Sequence, residues 1–592
     1  MCGIAAYYGG KNGVPIVVEG LKRLEYRGYD SAGLAFLKEN NIEVVKTKGK
    51  VNELKVLAEG KFSNVVIAHT RWATHGEPSH VNSHPHKSMN GKIVIVHNGI
   101  IENHSKLRKE LEEKYNYEFK SQTDSEVVAQ LIQYFYQGDF EEAFRKMLTK
   151  IDGAFGIVAL HEDHDQMICA RKGSPLVLGI GENEYFVASD PTPFLDHTKN
   201  VVYLDEKQMA ILSKDNYVVK DFKGFNLNVE IETVPFGIEA IQKQGYEHFM
   251  LKEIFEQCDT IKDCFRGKIR NIDGISVSKE DVKRIIFVAC GTSFYSALVA
   301  KYIIERKTHI PVVVEQASEF RYRQPMLYST DLVIAISQSG ETADTLEAIR
   351  LSKKVGTKVA GIVNVTGSSI AKECGQGMYL HAGPEIGVAS TKAFSSQIVS
   401  FILLNLFFNQ SPYYRSEIID DLKKLPDVVK GFLDRNYVDK VAEKYKDAKF
   451  FLFMGRDINF PVAMEGALKL KEISYIPAEG YPAGEMKHGP IALIDENVPS
   501  IFIVRKDEVF PKVISNMEEV KSRKGKIICV CDDVNEDIER LADDIILVPK
   551  VRWEFSPIVN VIPLQLLAYH IANLNGREID QPRNLAKSVT VE

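Results

Sequence analysis

The chain has 592 residues, which is long enough for several domains rather than one core. Its hydrophobic fraction of 45%, charged fraction of 26% and net charge of −6 are those of a folded, water-soluble protein without a basic surface for nucleic acid. The longest apolar run, at 400–408, is too short to cross a bilayer, and we expect neither a signal peptide nor a membrane partner.

The eight cysteines are scattered over the whole sequence. This usage is typical of a reduced, cytoplasmic protein rather than of a disulfide scaffold. The only close pair, Cys529 and Cys531, lies in an apparent strand, and we expect its two thiols to point to opposite faces of that strand.

The first part of the chain, 1–235, is predicted to mix strands with a few helices. Apolar runs at 65–73, 92–100 and 152–161 end in polar or Gly-rich residues, as strands do. Residues 125–138 have helical periodicity, and Thr123 and Glu126 have the spacing of a capping box. The segment 236–262 has helical spacing without Gly, Ser or Pro runs, so it is predicted to be a helical connector rather than a loose linker.

The rest of the chain alternates short β-rich runs with helices, which predicts parallel sheets flanked by helices. It also contains an internal repeat. Phe287 and Phe451 each start an apolar run, and they lie 164 residues apart, as do Glu315 and Glu479. We therefore predict two divergent copies of one α/β module, at 263–412 and 437–580, followed by a tail at 581–592.

A cysteine stands directly behind the initiator methionine. Removal of Met1 would leave the thiol and a free α-amine on the same residue, Cys2. That amine has a reference pKa of about 7.7–8, so it can serve as the base that activates the thiol. The alternative is that Cys2 simply begins a buried strand.

Other residues of the first part could serve such a nucleophile. Asn98 and Gly99 follow a strand and could donate hydrogen bonds to a developing oxyanion. The guanidinium of Arg71 suits a carboxylate, and Asp124 at a helix start could meet an ammonium group. Helix capping alone would also account for Thr123 and Asp124.

Five motifs carry a resemblance to a known family. The sequences MCGI, LEYRGYDSAG, HTRWATHGEP, HNGIIEN and TDSE, in this order, resemble the glutamine amidotransferase domain of the N-terminal-nucleophile class, which consists of stacked antiparallel sheets between helices. The resemblance implies that Cys2 attacks the glutamine carboxamide and that Asn98 and Gly99 bind the oxyanion. It further implies roles in glutamine binding or gating for Arg27, Arg71, Trp72, Thr74, His75, Gly76 and Asp124.

Seven of the 15 histidines lie between residues 69 and 104. Their spacing fits no compact zinc pattern, so we expect polar contacts in loops, and no metal or cofactor.

Two turns of the first repeat copy could bind a phosphate. Residues 331–350 are predicted to run from a strand through a Ser-rich turn into a helix, whose N-terminus is ringed by Ser337, Gln338, Ser339 and Thr342. Thr292 and Ser293 follow another strand in the same way, and together the turns predict one phosphate pocket at the carboxyl ends of neighbouring strands. Capping is the alternative for each turn alone.

The second copy lacks these serines and instead presents Glu465, Lys469 and Glu472 on one helical face. By itself this pattern also fits an exposed salt-bridge ladder. With 337–345, 385–394, 484–490 and the terminal PRNLAKSVTVE, it resembles the paired sugar-isomerase domains of the glutamine–fructose-6-phosphate aminotransferase family.

This second resemblance implies conversion of fructose 6-phosphate and glutamine to glucosamine 6-phosphate and glutamate, the first step of amino-sugar synthesis, in at least a homodimer. The ammonia would pass internally between the two sites. The implied sugar-site residues are Lys587 as imine former, Glu472 as proton carrier, His488 from a neighbouring subunit for ring opening, and Lys469, Val388 and Ser390 as sugar contacts.

Three other functions remain as alternatives. An amidotransferase joined to a phosphoribosyltransferase would need a Thr-Gly turn after the run at 527–534, and that turn is missing. An asparagine synthetase would need a nucleotide-binding loop, which we do not find. A sugar-phosphate-binding regulator would not need the candidate catalytic residues that are present.

Overall fold

The predicted strands and helices form two units in the computed structural model, which describes residues 2–39, 41–72, 77–214, 216–268, 274–409 and 411–590. The first unit comprises Met1–Ile241 together with the tail Ala586–Glu592, and the second comprises Gln242–Leu585.

The first unit is built on two antiparallel sheets. Its strands are β1 (Gly3–Gly9), β2 (Ser31–Lys38), β3 (Asn41–Lys48), β4 (Val65–Arg71), β5 (His86–Lys87), β6 (Ile93–Ile101), β7 (Gly153–His161), β8 (Met167–Lys172), β9 (Val177–Ile180), β10 (Glu184–Ala188), β11 (Asn200–Tyr203), β12 (Gln208–Ser213), β13 (Asn216–Asp221) and β14 (Glu232–Thr233). Its α-helices are α1 (Gly13–Arg23), α2 (Val51–Leu57), α3 (His104–Tyr115), α4 (Glu126–Phe135) and α5 (Phe140–Leu148).

The two sheets are stacked face to face. One has the strand order β14-β11-β9-β10-β1-β4-β2-β3, and the other has the order β13-β12-β8-β7-β6-β5. Alternate residues of β1 and β4, such as Ile4 and Ile67, pack in one core with Val94 and Val158 of the second sheet. The outer face of the second sheet is covered by α4 and α5, and that of the first by α1. The predicted layering of sheets between helices is confirmed.

The second unit begins with two short helices and continues through two parallel sheets. Its strands are β15 (Arg284–Ala289), β16 (Val312–Gln316), β17 (Asp331–Ser337), β18 (Lys358–Val363), β19 (Gly377–Tyr379), β20 (Phe451–Gly455), β21 (Ala478–Pro482), β22 (Pro499–Val504), β23 (Lys526–Cys531) and β24 (Asp544–Leu547). Its α-helices are α6 (Phe249–Phe255), α7 (Gln257–Phe265), α8 (Gly291–Thr308), α9 (Ala317–Phe320), α10 (Ala343–Lys354), α11 (Ser369–Cys374), α12 (Lys392–Phe408), α13 (Pro412–Leu433), α14 (Val438–Tyr445), α15 (Asn459–Ser474), α16 (Phe510–Lys521), α17 (Glu536–Leu541) and α18 (Ser556–Leu574).

The internal repeat is visible in the sheet topology. The strand orders β16-β15-β17-β18-β19 and β21-β20-β22-β23-β24 are the same pattern used twice, with every pair parallel. One face of each sheet packs into a shared core with α12 and α18, both of which are almost wholly buried. The two α/β modules are therefore confirmed, while their exact boundaries stay a prediction.

Helix α18 is the one described helix that is long and apolar enough to cross a membrane, and 83% of its apolar window is buried inside this unit. Its composition follows from that position, because a helix surrounded by protein on all sides is apolar all round.

Two local predictions are wrong. Cys529 and Cys531 both lie in the same core on one side of β23, because residues two apart in a strand share a face. Helix α4 begins at Glu126 without a side-chain cap, so Thr123 and Glu126 form no capping box. The Glu126 carboxylate instead accepts the amide N–H groups of Lys120 and Ser121 and orders the preceding turn.

Candidate active site

The pairing of β1 with β4 places the Cys2 thiol against the backbone of Trp72. Gly3 is in register with Thr70, so the start of the chain lies beside the end of β4. The Trp72 N–H donates to Cys2 Sγ at 3.4 Å, and the thiol donates to the Trp72 carbonyl at 3.6 Å. The desolvation of the thiol raises its pKa, which the positive amino terminus, the Trp72 amide and Arg71 partly offset. Cys2 therefore needs a base to become a nucleophile at neutral pH.

Asn98 is fixed directly beside this cysteine. Its Nδ2 donates to the Cys2 carbonyl at 3.2 Å and to Ser189 Oγ at 2.9 Å, and its Oδ1 accepts from His69 Nε2 at 3.0 Å. His69 Nε2 also lies 3.0 Å from the carbonyl of His97, so both of its partners are acceptors and Nε2 carries the proton. Burial lowers the pKa of His69 to about 3, which keeps it a neutral donor.

His69 and Ser189 are site residues that the sequence analysis did not assign. His69 lies within the HTRWATHGEP motif, so its position was a usable signal. Ser189 follows β10, and its hydroxyl also accepts the Ile4 N–H at 2.8 Å. No short motif around Ser189 points to this contact, because it depends on strands 185 residues apart.

Gly99 occupies a position that only glycine fits. Its φ is +124°, and a Cβ added there would lie 2.0 Å from the Ala154 carbonyl oxygen of the neighbouring strand. The close backbone pairing of β6 with β7 thus requires a residue without a side chain next to Asn98.

The two charged residues expected to bind the carboxylate and the ammonium group of glutamine are both buried. Arg71 ends β4 with 4% of its surface exposed, and Asp124 is also 4% exposed. Asp124 Oδ2 accepts the Ile101 N–H at 2.8 Å, which ties the carboxylate to the end of β6. Asp124 is therefore not a helix cap, and the interpretation that explained it by capping is wrong.

The remaining residues that the resemblance implies for the glutamine site are Arg27 and the segment 74–76. Thr74, His75 and Gly76 lie outside the described residues. Arg27 forms a buried ion pair with Asp190 at 2.8 Å and so supports the neighbouring turn.

Three of the seven histidines of this region pack together in the interior instead of making separate polar contacts in loops. The His69 and His84 rings are stacked at 4.0 Å between centroids, and His86 meets His84 edge to face at 4.5 Å. Burial lowers the pKa of all three, so this cluster is uncharged. Within the described ranges, no group of three His, Cys, Asp or Glu side chains is arranged to hold a metal ion.

In the second unit, the Ser-rich turn lies between β17 and α10. Ser337 Oγ accepts the Gly340 N–H at 3.0 Å and lies 3.0 Å from Thr342 Oγ1, and the first intrahelical bond runs from Leu346 N–H to the Thr342 carbonyl. The amide N–H groups of the first turn thus face the loop, as at anion sites on helix N-termini.

The second turn lies beside the first, as predicted. Strand β15 pairs with β17, and Cys290 Sγ at the start of α8 is 3.9 Å from Thr345 Oγ1 in α10. Ser293 Oγ accepts from Gln397 Nε2 at 2.9 Å. Thr292 faces another partner, because its hydroxyl donates to Glu465 Oε1 at 3.1 Å and accepts from Lys469 Nζ at 3.0 Å.

Glu465, Lys469 and Glu472 form a buried charged group on α15. Lys469 Nζ lies 3.3 Å from Glu465 Oε1 and 2.6 Å from Glu472 Oε2, and Glu465 and Lys469 are fully buried. The alternative of an exposed salt-bridge ladder is therefore wrong. Burial raises the pKa of Glu465 to about 8, so this carboxyl holds a proton at neutral pH and Lys469 balances Glu472.

The remaining predicted sugar-site residues lie in three places. Val388 and Ser390 belong to the loop before α12, and the Ser390 hydroxyl donates to Glu385. His488 is exposed at the end of the 3₁₀ segment Ala483–His488. Lys587 is half-buried in the tail that forms part of the first unit.

Comparisons with known proteins cover both units. The model of the glutamine amidotransferase domain matches residues 69–196, and that of the SIS domain matches 280–406 and 444–574. The chain is 48% identical to proteins named glutamine–fructose-6-phosphate aminotransferase (isomerizing) from Chlorobaculum tepidum and Caldanaerobacter subterraneus, over 100% of each chain. The C-terminal domain of glucosamine-fructose-6-phosphate aminotransferase from Francisella tularensis matches 57% of this chain and 100% of its own, at 40% identity and a TM-score of 0.55.

Replacement of Gly99 should disrupt the first unit locally. In Gly99→Ala the methyl group meets a backbone carbonyl that cannot rotate away, so we expect glutamine hydrolysis to fall at least tenfold. A matched control is Gly138→Ala, which has a φ of +96° but open space around the added Cβ. Steady-state glutamine hydrolysis of both variants checks this, and equal losses would mean that backbone strain rather than the β6–β7 contact is responsible.

Glu465 should make the stability of the second unit pH-dependent. The native state keeps the proton up to about pH 8, whereas the unfolded chain releases it near pH 4.5, so stability falls as pH rises between these values. The slope contributed by one proton is about 1.4 kcal/mol per pH unit. We expect Glu465→Gln to flatten the dependence of Tm on pH between 5.5 and 8, as measured by calorimetry. Parallel curves for wild type and variant would contradict a protonated Glu465.

Proposed function

The chain belongs to the glutamine–fructose-6-phosphate aminotransferase (isomerizing) family, and from this premise we propose how its residues carry out the reaction. The enzyme converts D-fructose 6-phosphate and L-glutamine to D-glucosamine 6-phosphate and L-glutamate. The observation that carries this function is the match to named relatives over the whole of both chains, which includes the amidotransferase domain and both sugar-isomerase modules.

We propose that Met1 is removed and that the freed α-amine of Cys2 takes the thiol proton. The thiolate attacks the carboxamide carbon, the C–N bond breaks, and ammonia leaves with the proton returned by the amine. Water then hydrolyses the thioester and releases glutamate. The close contact of the Trp72 N–H with Cys2 Sγ supports this role, because a donor to sulfur stabilises the thiolate.

Asn98 and Gly99 are proposed to hold the oxyanion of the tetrahedral intermediate. The Nδ2 group of Asn98 donates to the Cys2 carbonyl and to Ser189, which supports this role because the amide is held directly beside the cysteine. One of these two bonds is proposed to be exchanged for the bond to the oxyanion, since the NH₂ group has only two hydrogens. Arg71 and Asp124 are proposed to bind the α-carboxylate and α-ammonium of glutamine, with Trp72, Thr74, His75 and Gly76 around them.

In the second unit, the turns at Ser337–Thr342 and Thr292–Ser293 are proposed to bind the phosphate. The sugar is proposed to form an imine between its C2 carbonyl and Lys587, with loss of water, and ammonia then displaces the lysine. Glu472 removes the proton from C1 and returns it to C2, which converts the ketose imine to the 2-amino aldose. The contact of the Glu472 carboxylate with Lys469 Nζ at 2.6 Å supports this role, because the buried ammonium group orients the carboxylate that is proposed to move the proton.

The cellular setting is also a proposal. All eight cysteines are free thiols, which supports a cytoplasmic location. The exposure of His488 is compatible with its action in a neighbouring subunit of a homodimer, where it would assist ring opening. Internal transfer of ammonia would favour the uncharged, nucleophilic form over ammonium in bulk water.

Loss of the thiol should separate the two half-reactions. We expect Cys2→Ala to abolish glutamine-dependent synthesis of glucosamine 6-phosphate while fructose 6-phosphate binding, measured by calorimetry, stays unchanged. Cys258→Ala, which removes a half-buried thiol of α7, is the control. Intact-mass spectrometry of the wild type with a glutamine-analogue inhibitor would show whether Met1 is absent and Cys2 is labelled. Glutamine-dependent synthesis by Cys2→Ala would exclude this nucleophile.

The phosphate turn has its own test. Among the described residues, Ser339 Oγ accepts one bond, from the Glu341 N–H at 3.2 Å, and donates none, so its proton is available to a phosphate oxygen. One hydrogen bond to a charged group contributes about 1.5–3 kcal/mol, so we expect Ser339→Ala to raise the KM for fructose 6-phosphate roughly 10- to 100-fold. Ser278→Ala, which removes an exposed hydroxyl bonded to Glu280, should leave that KM unchanged. An unaltered KM in Ser339→Ala would contradict the phosphate site.

A further inference from the structure

Glu385, a buried glutamate at the start of the loop that carries Val388 and Ser390, forms hydrogen bonds with the other end of that loop. Glu385 Oε2 accepts the Ser390 hydroxyl at 2.9 Å, and Glu385 Oε1 accepts the N–H of Thr391 at 2.9 Å and that of Ala393 at 3.1 Å. Only 5% of Glu385 is exposed. These bonds fix both ends of the loop 385–391 in one conformation.

A second buried glutamate, from the connector, holds the middle of the same loop. Glu253 in α6 accepts the N–H groups of Ile386 at 2.5 Å and Gly387 at 3.1 Å with one oxygen, and it is 2% exposed. A Cβ on Gly387 would lie 2.9 Å from Glu253 Oε2, so any larger residue there would displace the carboxylate. The next amide, that of Val388, donates to the Asp580 carbonyl at 3.0 Å.

Two buried lysines stabilise this arrangement. Lys392, one residue after the loop, pairs with Glu256 of the connector at 2.7 Å, and Lys252 lies 3.4 Å from the other oxygen of Glu256. Breaking a buried pair leaves an uncompensated charge, which is strongly unfavourable. The connector and the start of α12 are therefore held together, and the loop between them has little freedom.

Three polar groups of the loop can still form hydrogen bonds with a ligand. The proton of the Ser390 hydroxyl is committed to Glu385, so Ser390 Oγ can only accept further hydrogen bonds. The amide N–H groups of Ala389 and Ser390 donate to no residue in the described part of the chain. A sugar hydroxyl is both a donor and an acceptor, and it can satisfy both kinds of group.

We propose that Glu253 and Glu385, together called the loop clasp, are positioning residues of the sugar site, which hold Ser390 Oγ as an acceptor for a hydroxyl of the open-chain sugar. This inference rests on the proposed function of the second unit. It assigns a direction to the Ser390 contact: the sugar donates and the serine accepts. It also gives the connector 236–262 a task in substrate binding, since Glu253 of α6 belongs to it.

The decisive variant is Glu385→Gln. The amide oxygen can still accept the two backbone N–H groups, which preserves the loop, but the NH₂ group then faces Ser390 and donates to it. One lone pair of Ser390 Oγ is then taken by the amide and the serine proton is released, so the hydroxyl presents a donor where the wild type presents only an acceptor. We therefore expect the KM for fructose 6-phosphate to rise about tenfold, the equivalent of about 1.4 kcal/mol. Glutamine hydrolysis without sugar should be unchanged. The control is Glu373→Gln, a glutamate of the same module paired with Lys353 near the surface.

A double-mutant cycle tests whether Glu385 acts through the serine. Ser390→Ala should raise the sugar KM by a similar factor, and its effect in the Glu385→Gln background should be less than twofold. Glu253→Ala should raise the same KM through the loop, with glutamine hydrolysis again unchanged. An unchanged KM in Glu385→Gln, or additive effects in the cycle, would overturn the proposal. If the wild type makes no amino-sugar phosphate at all, the proposed function fails instead.

Discussion

The position of Cys2, the proposed nucleophile, depends on one strand pairing, that of β1 with β4. Because the antiparallel register joins Gly3 to Thr70, Cys2 comes opposite Arg71 at the end of β4, and its thiol contacts the backbone of the next residue, Trp72. Neighbouring strands then add the other groups: β6 brings Asn98, and the end of β10 brings Ser189. A slip of one residue in β1 would turn its apolar residues out of the core between the sheets, so the hydrophobic pattern that stabilises the sandwich also fixes the thiol.

In the second unit, the two copies of one module carry different polar groups. Both copies have the same strand order, so each provides turns at the carboxyl ends of its strands. In the first copy those turns carry hydroxyl groups at helix N-termini. In the second copy the charged residues lie on α15, where Glu465 and Lys469 are withdrawn from water and Glu472 is the most exposed of the three, at 21%. Thr292 connects the two copies, since it belongs to the first and bonds to both Glu465 and Lys469 of the second.

Much of this could be predicted from the sequence, because the signals were local or periodic. The two-sheet unit, the repeated α/β module and the adjacency of the two Ser/Thr turns followed from apolar runs, a constant offset of 164 residues and the rule for parallel strands. The candidate site residues came from motifs, and their roles stay predictions. The two wrong local predictions have other causes. Cys529 and Cys531 share one face of β23 because residues two apart in a strand point to the same side. The capping box does not form because the Glu126 carboxylate accepts N–H groups of the preceding turn.

The contacts that could not be predicted from the sequence are those between buried residues far apart in the chain. His69 and Ser189 orient Asn98 across 29 and 91 residues, and Glu253 reaches a loop 133 residues later. Nothing in a local pattern tells a buried glutamate from a solvated one, although the physical difference is large. In water a carboxylate gains little from an amide N–H, whereas in the interior it must find such partners or lose its charge. Glu253 and Glu385 find them in the backbone of one loop, and Glu465 instead keeps a proton. The same side chain thus serves as a rigid anchor where the fold brings N–H groups to it, and it is a protonated carboxyl at position 465.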